Sequence, residues 1–146
     1  MLDQLRAQMA AFLAAHDVCI LSTSGSQGAW AMPVRYRLLP ATPGDCGLAV
    51  ACLIPRWADV AYYIEQDPHV LLVVHDPLPS PLPGGTTGRW LRWLQIEGAG
   101  EAIASPNWAA LLPGWASAAQ PDALCLALRV TPTRLDLFDE TRGWGA

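Results

Sequence analysis

No apolar run in the 146-residue chain reaches the length of a membrane span. Its basic residues form no cluster longer than the stretch 89–92, and the net charge is −4. Neither a membrane nor a nucleic-acid partner is expected, since binding to a phosphate backbone needs a concentrated positive patch. The first residues are amphipathic and charged and lack a signal peptide's order of regions, so a cytoplasmic location is expected. None of the four cysteines (Cys19, Cys46, Cys52 and Cys125) belongs to a C-x-x-C pair. All four sit in apolar, strand-like runs, which reads as buried free thiols and gives zinc or thioredoxin-type chemistry little support. The hydrolase elbow G-x-S-x-G, the zinc helix H-E-x-x-H and any placeable carboxylate pair are also missing. His16, His69 and His75 have no metal-ligand spacing. His69 and His75 stand at the two ends of one expected strand, on the same face but roughly 20 Å apart, so a shared metal is not expected. Redox or transfer chemistry, if the chain performs any, then falls to a cofactor.

What is present is apolar. The chain is 52% hydrophobic and 15% charged, and it holds seven tryptophans. Average soluble domains carry about 25% charged residues. The length suits a single domain over 1–146 with a core of its own. The low charge and many tryptophans point further, to an oligomer that hides apolar surface between subunits.

The stretch 46–76 organises the reading. Residues 46–53 are an unbroken apolar run ended by Pro55, as a buried strand should be. Trp57, Val60, Ala61 and Ile64 then share one face of a helix expected over 57–66, stopped by Asp67-Pro68. A second buried strand is expected over 70–74. Upstream, Leu2, Leu5, Met9, Phe12 and Leu13 predict an amphipathic helix over 2–15, with His16 facing solvent at its end. A short strand follows at 18–23, then a Gly/Ser turn without the lysine of a phosphate loop.

Residues 29–39 alternate: Trp30, Met32, Val34, Tyr36 and Leu38 take one face, and Ala31, Pro33, Arg35 and Arg37 the other. Pro33 marks an edge or a bulge in that strand. The run 77–88, with four prolines and three glycines, reads as a long mobile hairpin loop. A long strand over 89–104 bends at Gly98 and Gly100, as at a barrel corner. Ser105-Pro106 predicts a helix start, serine as N-cap and proline in the first turn, running through Leu112. The last strand runs over 123–130, breaks or bulges at Pro132 and resumes over 133–138, before a tail that is polar apart from Trp144. About six antiparallel strands and three helices suggest a small, mainly β barrel with helices plugging its ends.

One order of features resembles a known family. The turn at Gly28, the strand with Met32-Pro33-Val34, the apolar strand 46–53, the helix stop Gln66-Asp67-Pro68-His69-Val70 and the strand end Gln95-Ile96-Glu97-Gly98-Ala99-Gly100-Glu101-Ala102 are similar to the pyridoxamine 5′-phosphate oxidase-like family. Each motif is short; their order and spacing together carry the resemblance, from about Phe12 to Phe138. It implies a six-stranded antiparallel split β-barrel with flanking helices, a homodimer, and FMN in two equivalent grooves at the dimer interface. Haem or deazaflavin binding, or a cofactor-free dimer, are the alternatives on the same scaffold.

On that mapping, backbone groups of Met32, Pro33 and Val34 meet the flavin ring, and Ala51, Cys52 and Leu53 lie beside the ribityl chain and phosphate. Arg56 is the first choice as phosphate cation and Arg35 the second. Trp57 either packs on the flavin or anchors its helix in the core. Where the family places Ser/Thr and Lys contacts, this chain has Ala58, Asp59 and Val60, and Asp59 repels a phosphate. Either Arg56 takes over, or FMN binds weakly or not at all. The basic C-terminal substrate contacts of the pyridoxal-forming enzymes are also missing beyond Arg142, so that oxidation is not expected. The resemblance thus implies an FMN-dependent oxidoreductase of unassigned substrate.

Overall fold

The computed structural model describes residues 2–25, 28–42, 47–81, 89–112 and 121–142, with the backbone alone at 77–81, 89, 121 and 122. In chain order the elements are α1 (Leu2–Ala14), β1 (Val18–Gly25), β2 (Gly28–Leu38), β3 (Val50–Pro55), α2 (Val60–Gln66), β4 (His69–Pro81), β5 (Arg89–Ala102), α3 (Trp108–Leu111), α4 (Pro121–Leu124) and β6 (Cys125–Asp139), with a 3-10 turn at Glu140–Arg142. The strands close a ring in the order β1-β2-β3-β6-β5-β4, every described pairing antiparallel.

Alternation fills the ring. Leu21, Tyr36, Cys52, Ile54, Leu72, Leu94, Ile96 and Leu128 point inward and are at most 2% exposed. α1 closes one mouth with Met9, Phe12 and Leu13. Tyr36 ties that helix down from below, its hydroxyl donating to the Leu13 carbonyl at 2.7 Å. α2 adds Val60 and Ile64 to the same core. β3 shows no alternation because both its faces are covered. Val50, Cys52 and Ile54 face the interior, while Ala51 and Leu53 pack with Leu111 and Leu112 of the α3 region. Burying a leucine-sized side chain contributes about 1.5–3 kcal/mol, so this two-sided strand is a strong anchor for the sheet.

Prolines decide where the ring opens. Leu39 N–H donates to Ala49 O, and the β2–β3 register continues through Arg37↔Ala51 to Arg35↔Leu53. The next hydrogen-bonding pair in that register is Pro33 with Pro55. Neither has an N–H, so the ladder stops there. Below it, β2 pairs only with β1 among the described residues. Among the described residues β1 in turn meets β4 at three positions, Ile20–Ser22 against Leu71–Val73. The barrel is therefore split.

Pro77 and Pro132 obey the same rule. Pro68 O accepts from Gly100 N–H, which sets the even residues of β4 toward β5 and turns Pro77 away from it. Pro132 stands opposite Gly98, beyond the Val50↔Val130 pair that ends the β3 ladder, so its missing donor falls on a side with no strand partner among the described residues.

Several expectations shift. The strand expected from residue 46 starts at Val50, because Gly47 takes a positive φ of 74° and turns the chain; Cys46 lies outside the described residues. The helix expected from Trp57 starts at Val60, after a turn closed by Ala58 N–H on Pro55 O. The strand expected to end at Val74 runs on to Pro81, so 77–81 are not loop; prolines are tolerated there because, among the described residues, β5 is the only strand paired with that reach of β4. The remainder of the expected loop, 82–88, and most of the tail, 143–146, lie outside the described residues. The helix expected from Ser105 starts at Trp108, with the Asn107 side chain rather than serine as its cap, accepting from Ala110 N–H at 3.4 Å. α4 was not foreseen at all. The bulge expected at Pro132 is present as a register shift opposite Glu97-Gly98.

Candidate functional site

The split below Pro33 and Pro55 is where backbone can meet a ligand. Tyr36 N–H donates to Asp17 O, so the even residues of β2 turn their amide and carbonyl groups to β1. The odd residues turn theirs to the opened side. The edge thus offers the N–H and C=O of Ala31 and the C=O of Pro33. Met32 and Val34, expected to meet the ring by their backbone, spend those groups on Leu21 and Cys19. Their side chains point inward, Met32 half-buried and Val34 buried. Ala31, two residues from Pro33, shares its register and so lies on the same edge, a placement that sequence pattern did not single out.

The turn after β3 closes the other side of the split. Arg56 is exposed, and its N–H donates to Leu124 O at 3.0 Å. Trp57 is 80% exposed and Leu124 57% exposed. Trp57 therefore does not anchor the helix in the core; of the four residues expected on that face, Val60 and Ile64 are the buried ones. Ala58 and Val60 are core residues, at 6% and 0% exposure, and only Asp59 of that trio faces solvent.

Arg35 projects from the outer face of β2, 3.7 Å from Asp17. Its neighbour Arg37 donates from Nε to Leu111 O at 3.3 Å. Ala51, Cys52 and Leu53 are not presented to the split. Their side chains are buried and β3 is paired along both edges, to β2 and to β6. The Cys52 thiol is hydrogen-bonded with Cys19, which together with burial pushes its pKa well up. Burial also raises the Cys125 thiol at the start of β6, with Arg56 pulling the other way. The structure thus puts Arg56 and Trp57 in the exposed turn directly after Pro55, leaves Arg35 on the outer face of β2, and buries the side chains of residues 51–53 in the sheet.

A second feature lies at the α1 mouth. His16, expected in solvent, is instead part of a cleft wall. Its side chain is 22% exposed, its ring stacks on Phe12 at 4.7 Å, and its Nδ1 lies 2.8 Å from Phe12 O. Asp76 sits 3.7 Å from its Nε2 and accepts from Arg92 at 3.1 Å. Among the described residues no group of three or more His, Cys, Asp or Glu could hold a metal. No described helix is long and apolar enough to cross a membrane.

The fold has many solved counterparts. A FAD-binding protein from Mesorhizobium loti shares 12% identity at a TM-score of 0.64, over 90% of each chain. A haem-binding protein from Mycobacterium smegmatis shares 21% identity at 0.67, over 97% of this chain and 55% of that one. A protein from Clostridium acetobutylicum related to general stress protein 26, of the pyridoxinephosphate oxidase family, shares 10% identity at 0.62, over 94% of this chain and 89% of that one. No family model matches the sequence, and no curated protein does. The fold is that of the pyridoxamine 5′-phosphate oxidase-like split barrels.

Proposed function

We propose that this chain is a flavin-binding oxidoreductase-like protein, acting as a homodimer with FMN seated in the split of each barrel. The observation that carries the reading is the ladder stop at Pro33–Pro55, which leaves a backbone edge beside Arg56 and Trp57. Solved proteins of this fold include binders of FAD. The residues fit a flavin phosphate in kind. Arg56 supplies a cation, Trp57 an exposed flat ring, and Ala31 an N–H that can donate to a ring carbonyl. A bound flavin supplies hydride and electron transfer, and the protein's share is to seat and tune it. Trp57 and Leu124 are apolar surface of the kind that a second copy covers.

Titration with FMN, followed by flavin fluorescence, tests this. Wild type binds one FMN per chain, and Arg56→Ala weakens binding about 10- to 100-fold, the worth of about 1.5–3 kcal/mol for a charge-assisted contact. Unchanged affinity in both Arg56→Ala and Arg35→Ala removes the phosphate assignment. Haem is the second reading, because a haem-binding protein is among the structures most like this one. An intense haem absorption band in purified protein, with no flavin spectrum, decides for it.

A further inference from the structure

None of the residues that line the cleft at the α1 mouth belongs to the split. Among the described residues β1 meets β4 only over Ile20–Ser22, so no described strand faces the upper reach of β4, β5 and β6, and α1 lies across it instead. Between them is a cavity of about 840 Å3, within the range of small-molecule sites. Leu5 and Phe12 from the helix and Leu137 from β6 give it an apolar wall.

The other wall carries both signs of charge, side by side. Arg92 on β5 stands across from Asp139 on β6, and it donates to Asp76 Oδ2 at 3.1 Å. Asp139 accepts the N–H and hydroxyl of Thr141 at 3.0 and 2.6 Å, both on Oδ1. Those bonds hold its carboxyl below the usual range, and Arg142 and Arg92 pull the same way. The carboxylates of Asp76, Asp139 and Glu140 thus face the guanidiniums of Arg92 and Arg142 within one lining, with the His16 ring beside Asp76. Neither sign dominates.

Each sign nevertheless keeps unused capacity. Glu140 meets the Leu91 N–H with Oε2, and its Oε1 has no donor among the described residues; Asp139 Oδ2 has none either. The buried Arg92 Nε has no acceptor among the described residues, and Arg142 stands exposed at the rim. An anionic head drawn to the guanidiniums is repelled by the carboxylates beside them, and a cationic head meets the reverse. A head that carries both charges on neighbouring atoms finds an unlike partner for each.

We propose that this cleft binds an apolar α-amino acid as its zwitterion, with the side chain against Leu5, Phe12 and Leu137, the ammonium toward Asp139 and Glu140, and the carboxylate toward Arg92 and Arg142. The site does not depend on the flavin reading.

Calorimetric titration at pH 7 tests it with 2-aminooctanoate, octanoate and heptylammonium, which present the two charges together and then each alone on a matching tail. 2-Aminooctanoate binds once per chain. Each singly charged probe binds about three- to tenfold more weakly, a modest margin because half-exposed charges are screened. Arg142→Gln weakens 2-aminooctanoate about threefold or more and leaves heptylammonium no weaker. Glu140→Gln, which keeps an acceptor for the Leu91 N–H, weakens 2-aminooctanoate to a similar extent and leaves octanoate no weaker. Leu5→Asp, at an exposed position of the apolar wall, weakens all three probes. Arg56→Ala leaves 2-aminooctanoate binding unchanged, which keeps this result separate from that of the split. The proposal is overturned if 2-aminooctanoate gives no saturable binding at millimolar concentration, or if either singly charged probe binds as tightly. It is equally overturned if Arg142→Gln and Glu140→Gln keep wild-type affinity for it or weaken all three probes alike.

Discussion

Replacing Gly98 by alanine puts a methyl group against the backbone of β6. A Cβ there meets Thr131 O at 2.5 Å, Thr131 C at 3.1 Å and Val130 Cγ1 at 3.1 Å. Two of the three are backbone atoms of β6, which is held to β5 on both sides of the point by Ala99↔Thr131 and Glu97↔Arg134. They cannot rotate aside, so the strand itself must move. Overpacking of this kind costs about 1–3 kcal/mol, and a backbone clash belongs at the upper end.

Gly100 is the internal control. Its added Cβ meets only the end of Leu128, at 3.0, 3.2 and 3.3 Å. That side chain can yield a few tenths of an ångström, and the stiffer unfolded chain returns about 0.4–1 kcal/mol. Gly98→Ala should therefore be less stable than Gly100→Ala by about 2–3 kcal/mol, a gap of roughly 4–12 °C in melting temperature for a chain of this size. Urea denaturation followed by tryptophan fluorescence measures both. Equal midpoints for the two variants would refute the argument that the bulge opposite Glu97-Gly98 needs a residue without a side chain.

Tyr36→Phe should cost about 1–2 kcal/mol, because the Leu13 carbonyl loses its buried donor; a loss under 0.3 kcal/mol in chemical denaturation argues against the tie. Burial holds the Tyr36 phenol above its ordinary pKa, so the unfolded chain releases that proton first. The stability due to this group is complete below about pH 10 and declines as pH rises through it; Tyr36→Phe should lack that share of the alkaline loss. Cys19 and Cys52, 2% and 0% exposed, should react with a thiol reagent only at the rate of unfolding, and fast native labelling of either would contradict the packed interior. Trp57→Ala should leave chemical stability within about 0.5 kcal/mol, as for an exposed side chain, while weakening FMN binding or self-association measured by sedimentation; a large stability loss would mean the ring is structural.

The strands were legible in the sequence because they alternate or run apolar, and the ring followed from their number and their glycines. Boundaries were misread where a backbone feature outranked side-chain pattern. Trp57 matches a helical period with Val60 and Ile64, but the turn from Pro55 to Ala58 intervenes. Ser105-Pro106 has the composition of a helix start, yet Asn107 makes the cap. The prolines of 77–81 argued for a loop, because a sequence does not say which strand edge is covered. The same blindness bears on the site. The family resemblance implied Met32, Val34 and Cys52 beside a ligand, and register adds which of their backbone groups pair with neighbouring strands. The opening itself, set by Pro33 facing Pro55, needs both strands in register and could not be read from either alone.

An open strand border invites a neighbouring molecule to continue the sheet, and a run of such additions is how fibrils grow. At Pro33, Pro77 and Pro132 the N–H is missing on a side with no strand partner among the described residues, so an incoming strand meets gaps in its ladder. Loosening these positions to alanine would leave the barrel able to form and newly able to zip onto its own copies. The seam can thus stay accessible to a small guest while remaining a poor template for polymerisation.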